Sequence, residues 1–318
     1  MTNFYWDKGI ISLIQVAVLV LGSPVLIGLM RKVRCRFEGR IGPPILQPLY
    51  DLRKLISKER IRPSQTSWVF ATAPLIFVSS VLVAIAITPL FSTHPVMSEG
   101  SNLFVITYLL LVGSCALLLA GLDTGTAFGG MGSSRGTTIG ALTEPALLMT
   151  ILCLSITAHS SNLPVILHDS VINPSTIVTP ERLFGIAALI IVTIAESGRL
   201  PVDNPSTHLE LTMIHEAMIL EYSGFDLALI NAGESMRLAL LLGIVSVLIV
   251  PWGIATSLQI GSITLGLLTL IIKISLLGVA IAVFEVFTAK MRLFRLPELL
   301  AGAFILALLG VVSGLMLK

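Results

Sequence analysis

Ionisable residues lie within or beside long apolar stretches of this sequence. They are Glu144, Glu196, Glu234, Lys273 and Glu285. At hydrocarbon depth in a membrane such a group costs roughly 2.5–3.5 kcal/mol, so each one needs a partner, a water-filled cavity or a function. Their distribution over four apolar runs predicts a proton path or an aqueous cavity. The alternative is a set of structural ion pairs, for example Glu234 with Arg237 one helical turn later.

The segment of residues 196–231 carries further acidic residues together with two histidines. These are Asp203, Glu210, Glu216, Glu221, His208 and His215. Carboxylates and imidazoles that lie close together shift one another's pKa, so this segment is suited to taking up and passing on protons near neutral pH. Residues 204–207 predict a turn and an N-cap, followed by an amphipathic helix that continues to Ile219. The alternative function of that helix is interfacial, with a solvated acidic face.

Two kinds of metal site are excluded by spacing. The pair His215-Glu216 begins a zinc-protease motif, but position 219 is Ile, so the second histidine ligand is missing. Cys35, Cys115 and Cys153 are too scattered for a zinc or iron–sulfur site. We therefore expect free thiols and no metal bound by this chain.

Composition identifies the elements that must hold these charges. Of the 318 residues, 55% are hydrophobic and 12% are charged, and the mean hydropathy is +0.95. Apolar runs of about 20 residues indicate membrane-spanning helices. We expect an all-α integral membrane protein, with residues 1–318 forming a single bundle of about eight transmembrane helices. The predicted spans are residues 9–29, 68–91, 103–122, 139–158, 183–195, 232–251, 263–287 and 299–317.

Basic residues predict the orientation of the bundle. Ten of the 20 Lys and Arg residues lie between Arg31 and Arg62, which places the loop of residues 31–67 in the cytoplasm. Alternation then puts both termini outside and the acidic loop of residues 196–231 inside. Apolar residues at helical spacing from Ile45 to Ile56 predict an amphipathic helix on the cytoplasmic face. Residues 160–180 have the composition of an exposed connection on the other face.

Several segments resemble subunit 1 of respiratory complex I and its relatives. They are Ala195–Asp203, Glu221–Gly224, Arg40–Pro43 with Leu46–Pro48, and Arg292–Leu299. Only Pro44 and Ile45 separate the two motifs of the first loop, as in the branch of membrane-bound nickel-iron hydrogenases and formate hydrogenlyase. The Gly121–Gly125 segment and the Glu144-Pro145 pair are also similar to that branch.

The resemblance implies a membrane subunit of an oxidoreductase complex that has no catalytic cofactor of its own. The implied partners are hydrogenase-like large and small subunits, a ferredoxin-like iron–sulfur subunit, antiporter-like membrane subunits and the lipid bilayer, and no nucleic acid. Nickel-iron and iron–sulfur cofactors are expected in those partners, and the expected location is the cell's inner membrane. Together with the buried charges, the resemblance predicts proton coupling by Glu144, Glu196, Asp203, Glu210, Glu221, Glu234, Lys273 and Glu285, of which Glu196, Asp203, Glu210 and Glu221 match the family's motif. The implied loop and docking residues are Arg40, Asp51, Lys54, Asp123, Arg135, Arg199, His215, Lys290, Arg292 and Arg295.

Two alternative functions stay open from the sequence. The first is the quinone-site subunit of a complex I that oxidises NADH or ferredoxin, in which the same cavity admits a quinone headgroup from the bilayer. The second is a stand-alone secondary transporter. The missing internal repeat and the concentration of charge at one side of the membrane argue against the transporter.

Overall fold

The chain forms helices joined by short connections. The computed structural model describes residues 2–93, 100–203, 214–255, 259–292 and 295–316. In chain order the helices are α1 (Thr2–Phe37), α2 (Gln47–Ile56), α3 (Trp68–Ile87), α4 (Leu103–Asp123), α5 (Ala127–Ala158), α6 (Leu163–Ile172), α7 (Pro180–Glu196), α8 (His215–Ile219), α9 (Gly224–Ile249), α10 (Ile260–Phe287) and α11 (Leu296–Met316), with a short 3-10 helix at Pro174–Val178. These ranges contain two isolated bridges, Ser92 with Ala255 and Asn102 with Asn162, and no longer strand.

Seven of the described helices are long and apolar enough to cross a membrane. They are α1, α3, α4, α5, α9, α10 and α11. The remaining predicted span forms α7, which has 17 residues. At 1.5 Å per residue α7 is about 25 Å long, shorter than the roughly 30 Å of a hydrocarbon core. The prediction of an all-α integral membrane bundle is confirmed, and the protein is a multi-pass membrane protein.

Helix α9 lies at the centre of the bundle. Every residue from Ser235 to Leu248 is buried, so all faces of the helix are covered. A helix with apolar residues on every side is stable only when neighbouring helices surround it, and α1, α3, α7 and α10 provide that cover. A second group consists of α5, α7 and α11, which pack against one another. Helix α7 therefore joins the two groups.

The connections predicted to share one side of the membrane do meet at one end of the bundle, here called the polar end. There α1, α4, α7 and α10 finish, and α3, α5, α9 and α11 begin. Asp123 accepts a 2.7 Å hydrogen bond from the backbone nitrogen of Ser67, which ties the end of α4 to the start of α3. The hydroxyl of Tyr222 donates to the Phe70 carbonyl at 2.9 Å. The placement of this end in the cytoplasm stays a prediction.

Helix α5 begins well before its predicted start at residue 139. Its N-cap is Thr126, whose hydroxyl accepts a hydrogen bond from the backbone nitrogen of Gly129 at 3.2 Å. The glycine-rich stretch before residue 139 lay outside the predicted spans, but it is helical, and several of its glycines allow close packing. A Cβ added at Gly132 would lie 2.9 Å from the Ala217 Cβ. Glu144 consequently lies in the middle of α5 and not near the start of a span.

Other element boundaries also differ from the predictions. Helix α1 continues to Phe37, so the basic residues 31–36 are helical. The exposed connection predicted over residues 160–180 is in part a packed helix, α6, on which Leu163, Ile166 and Leu167 are buried, whereas residues 172–175 are exposed. The amphipathic helix predicted for the first loop is confirmed as α2, which packs against α1 and α9. The turn and N-cap predicted for residues 204–207, with the start of the following helix, lie outside the described residues.

Candidate functional site

A cavity of about 880 Å³ lies at the polar end, between α1, α2 and α7–α10. Charged and titratable side chains from elements far apart in the chain line it. They are Arg31, Arg34, Glu38, Arg40, Asp51, Glu196, Arg199, Asp203, His215, Glu216, Glu234, Arg237 and Glu285. Eight of these were predicted as site residues, namely Arg40, Asp51, Glu196, Arg199, Asp203, His215, Glu234 and Glu285. Apolar residues of α1 and α2, such as Ile27, Leu52 and Leu55, complete the wall.

Asp203 is a buried carboxylate in the described part of the loop that follows α7. It is 3% exposed and accepts hydrogen bonds from the Lys290 Nζ at 2.7 Å and the His215 backbone nitrogen at 3.2 Å. The His215 Nδ1 lies 3.4 Å from the same carboxylate. Burial opposes ionisation, yet these hydrogen bonds and the positive charges of His215 and Lys290 hold the pKa of Asp203 well below its usual range. Asp203 is therefore a fixed negative charge near neutral pH.

His215 is a second group outside the spanning helices whose pKa is shifted by its charged neighbours. Burial alone lowers the pKa of an imidazole, but the hydrogen bond and charge of Asp203 raise the pKa of His215, and Glu234 and Glu216 add to that effect. A half-buried imidazole with a raised pKa holds its proton more readily than a free histidine. His215 is thus suited to exchange protons with the cavity.

Glu285 is shared by two arginines. Its carboxylate is 4% exposed and lies 3.8 Å from the Arg34 Nη1 and 3.6 Å from the Arg199 Nη1. Arg34 belongs to α1 and Arg199 to the loop after α7, so this carboxylate of α10 ties three parts of the chain together. The two guanidinium groups supply the compensation that a buried carboxylate requires.

Glu196 forms its ion pair with Arg237, whose Nη2 contacts the Glu196 Oε2. The pair of Glu234 with Arg237, an example of the alternative structural reading, is not formed in the described part of the chain. Helix α7 ends beside α9, and this packing presents Glu196 to the guanidinium across the interface. The choice between two carboxylates is thus made by interhelical geometry and not by the helical spacing of Glu234 and Arg237.

Glu196 also lines a second, smaller cavity of about 50 Å³ between α4, α5, α7 and α9. Glu144 of α5 contributes the other carboxylate of this cavity, and the remaining wall is largely apolar, with residues such as Ile106, Leu110 and Leu241. A water needs roughly 10–15 Å³ of such space and polar partners, so the cavity has room for a few waters between the carboxylates. Glu196 therefore joins the large cavity to Glu144.

The remaining predicted residues lie elsewhere. Lys273 lies away from the large cavity, about 18 Å along α10 from Glu285 at 1.5 Å per residue. Its Nζ donates to the Val250 carbonyl at 2.7 Å and also to the Trp252 carbonyl, at the end of α9. Seven further predicted residues share the property that they line neither cavity. They are Lys54, Asp123, Arg135, Glu221, Lys290, Arg292 and Arg295. Glu210 lies outside the described residues.

An ion-pair cluster at the polar end, here called the anchor, had no signal in the sequence. Asp226, in the first turn of α9, is 1% exposed and lies 2.5 Å from the Arg60 Nη2 and 3.3 Å from the Arg62 Nε. The Ser223 hydroxyl accepts from the Ile61 nitrogen and donates to its carbonyl, both at 2.9 Å. Arg60 and Arg62 contributed to the basic count that predicted orientation, but nothing in their spacing indicated this partner.

Arg34 and Arg237 were likewise not predicted as site residues. Arg34 belonged to the basic run that indicated orientation, and Arg237 was considered only as a structural partner of Glu234. Their position within otherwise apolar helices is the feature that could have identified them. Among the described residues, no group of three or more His, Cys, Asp or Glu side chains is placed to hold a metal ion. The expectation that partner subunits carry the cofactors stays a prediction.

Comparison with known proteins agrees with the motifs of the cavity loops. Residues 10–314 match the NADH dehydrogenase family over nearly the whole chain. The chain belongs to this family. The resemblance to complex I subunit 1 inferred from the sequence is thereby confirmed.

Two relatives of this member of the NADH dehydrogenase family are a hydrogenase component and a formate hydrogenlyase subunit. Hydrogenase-4 component C of Escherichia coli (strain K12) is 30% identical over 304 residues, covering 95% of this chain and 94% of that protein. Formate hydrogenlyase subunit 4 of the same organism is 30% identical over 301 residues, covering 95% of this chain and 97% of that protein. These relatives agree with the branch indicated by the spacing of the first-loop motifs.

A solved structure shares the fold of this family member. It is that of the membrane-bound sulfane sulfur reductase, an archaeal respiratory membrane complex, with a TM-score of 0.80 and 18% sequence identity. The match covers 96% of this chain and 98% of the other. At this identity the likeness establishes the arrangement of the helices and nothing about the reaction.

Proposed function

We propose that this chain is the membrane-anchor and proton-coupling subunit of an energy-converting, hydrogenase-type complex related to complex I. The supporting observation is the large cavity, because it gathers Glu196, Asp203, His215, Glu234 and Glu285 at one end of the bundle. Buried titratable groups in mutual contact respond to a nearby change of charge. Electron transfer in docked subunits would provide that change.

The residues divide into fixed and exchangeable charges in this proposal. Asp203 is the fixed charge, because it is bound by Lys290, and the Glu285 carboxylate is paired with two arginines. His215 and Glu234 exchange protons with the cavity, and Glu196 passes them to Glu144 through the small cavity. Glu210 and Glu221, assigned to the same path from the resemblance, remain proposed members of it. Lys273 is the assignment with least support, because it caps the end of α9.

The proposed partners and location follow from the relatives and from the charge pattern. The chain lies in the inner membrane of the cell, with its polar end facing the cytoplasm. Hydrogenase-like subunits, which carry nickel-iron and iron–sulfur cofactors, dock at that end. The exposed side chains of Lys54, Arg292 and Arg295 provide positive charge for that contact. Antiporter-like subunits pack laterally in the membrane and receive the change in protonation.

The test is proton translocation by the purified complex in liposomes. Changing Glu196 to Gln should leave hydrogen-linked electron transfer measurable and reduce the number of protons moved per electron. The matched control is Glu298→Gln, because Glu298 is exposed at the start of α11 and lines neither cavity. An unchanged proton-to-electron ratio in the Glu196 variant would argue against the coupling role.

A second candidate is binding of a quinone in the large cavity. Its volume of about 880 Å³ lies within the usual 300–1,000 Å³ of small-molecule sites. Leu52 and Leu55 of the amphipathic α2, together with Ile27 of α1, provide an apolar part of its wall. Quinone-dependent electron transfer by the purified complex that is lost in Leu52→Trp would favour this function. Activity without added quinone, unaffected by Leu52→Trp, would favour the hydrogenase-type function.

A further inference from the structure

Arg237 is incompletely satisfied in its ion pair with Glu196. The residue is 8% exposed and lines the large cavity. Its Nη2 contacts Glu196, whereas its Nε has no hydrogen-bond partner among the described residues. A guanidinium carries five N–H donors in a fixed fork, and a buried donor without an acceptor costs about 1–3 kcal/mol. A second acceptor within reach would therefore compete for Arg237.

Glu234 is placed to be that acceptor. It lies three residues before Arg237 on α9, so the two Cβ atoms are about 5–6 Å apart on one helix face. Glu234 lines the same cavity and makes no hydrogen bond or ion pair with the described part of the chain. The groups that face it from packed elements are His215 and Glu216 of α8, and Arg199 and Asp203 of the loop after α7.

Two other cavity arginines are already bound elsewhere. Arg34 and Arg199 both lie within ion-pair distance of Glu285. Lys290 is bound to Asp203. Arg34 is held further by Glu38, whose Oε1 lies 3.0 Å from the Arg34 Nε. Arg237 has one bound carboxylate, Glu196 across the helix interface, and a second nearby, Glu234 on its own helix.

We propose that Arg237 exchanges between Glu196 and Glu234, and that protonation of Glu196 releases it to Glu234. This inference rests on the coupling function proposed above and assigns Arg237 a positioning role in it. A guanidinium forms its strongest hydrogen bonds with an ionised carboxylate. When a proton binds a Glu196 oxygen, the ion pair loses its negative partner, and the carboxylate of Glu234 becomes the better acceptor.

The exchange has a consequence for the two cavities. While Arg237 holds Glu196, the end of α7 is tied to α9 and the Glu196 carboxylate is paired at the junction of the cavities. When Arg237 moves to Glu234, the tie between α7 and α9 is broken and the protonated Glu196 is free to turn toward Glu144. Protonation of Glu234 has the opposite effect, because it returns Arg237 to Glu196. The device thus favours one protonated carboxylate at a time.

The experiment is cryo-electron microscopy of the purified complex, wild-type and Glu196→Gln. In the variant the Arg237 guanidinium should lie against Glu234, displaced by roughly one helical turn, about 5 Å. If Glu196→Gln does not assemble, Glu196→Asp takes its place. It keeps the negative charge but moves the carboxylate away from Arg237, so the same displacement of the Arg237 guanidinium is expected. The control is Glu285→Gln, in which Arg237 should stay with Glu196. Arg237 remaining at position 196 in both Glu196 variants would overturn the exchange.

The prediction for the position of Arg237 and the prediction for proton translocation can fail independently of each other. Displacement of Arg237 in Glu196→Gln with a wild-type proton-to-electron ratio would support the exchange and contradict the coupling function of Glu196. An immobile Arg237 with a lowered ratio would contradict the exchange and leave the coupling function supported.

Discussion

Lys290 donates a hydrogen bond of 2.7 Å from its Nζ to the Oδ1 of Asp203, although 87 positions separate the two residues. The contact links the loop after α7, whose Asp203 lines the large cavity, to the loop between α10 and α11. A backbone hydrogen bond of 2.9 Å from Met291 to the Pro201 carbonyl reinforces the link. Two of the loops that carry family motifs are thus bound to each other.

Changing Lys290 to Met should destabilise the polar end. Removing one partner of a buried ion pair costs about 3–5 kcal/mol, and we expect the lower end of this range because His215 still binds Asp203. The midpoint of thermal unfolding of the purified complex measures the effect. Lys58→Met is the control, since the Lys58 side chain is exposed just after α2 and lines neither cavity. Equal midpoints for the two variants would contradict a structural role for Lys290.

His215 should make stability depend on pH. Its pKa is raised, mainly by Asp203 against the opposing effect of burial, so protonated His215 stabilises the folded protein. This contribution is complete below the ordinary pKa of 6.5 and is lost as the pH rises through the higher folded value. The thermal midpoints of wild type and His215→Gln should therefore differ more at about pH 6 than at about pH 9.

A matched control for this pH dependence is His168→Gln, because His168 is exposed on α6 and remote from the cavity. We expect no comparable change with pH in that variant. A His215→Gln difference that grows from acid to alkaline pH would show that the sign of the pKa shift is wrong.

Glycine spacing on α5 provides a test of packing. A Cβ at Gly132 would lie 2.9 Å from the Ala217 Cβ and 3.0 Å from the Met218 backbone nitrogen, so Gly132→Ala should push α8 away and destabilise by about 1–3 kcal/mol. Gly130→Ala on the same helix meets nothing within 4 Å and should stabilise by about 0.5–1 kcal/mol. Thermal unfolding of the two variants should thus shift in opposite directions.

Asp226 should protect the loop that follows α2 from proteolysis. Changing it to Ala removes the carboxylate that holds Arg60 and Arg62, and hydrogen bonds to charged groups contribute about 1.5–3 kcal/mol. Limited trypsin digestion should then cleave after these arginines several-fold faster. Glu59→Gln, at an exposed neighbouring position, should leave the rate unchanged. Equal cleavage rates in both variants would mean that the anchor has no protective effect.

The spans and the family membership could be predicted because they depend on local properties of the chain. Length and hydropathy of an apolar run decide whether it crosses a membrane, and the motifs around Glu196 and in the first loop lie close together in sequence. Boundaries were less predictable where one residue type serves two purposes. The glycines of α5 are the example, since glycine suits both a loop and a close helix contact.

Sequence by itself thus determined the class of the protein, the approximate spans, the meeting of the basic and acidic loops at one end, and most of the charged residues that line the cavity. Tertiary structure alone decided the partners: Arg237 binds Glu196, 41 positions away, and Lys273 binds carbonyls at the end of α9. The reason is physical. Burial requires that each charge be compensated, which the sequence reveals, but the compensating atom is fixed by how the helices pack, and that depends on contacts distributed over the whole bundle.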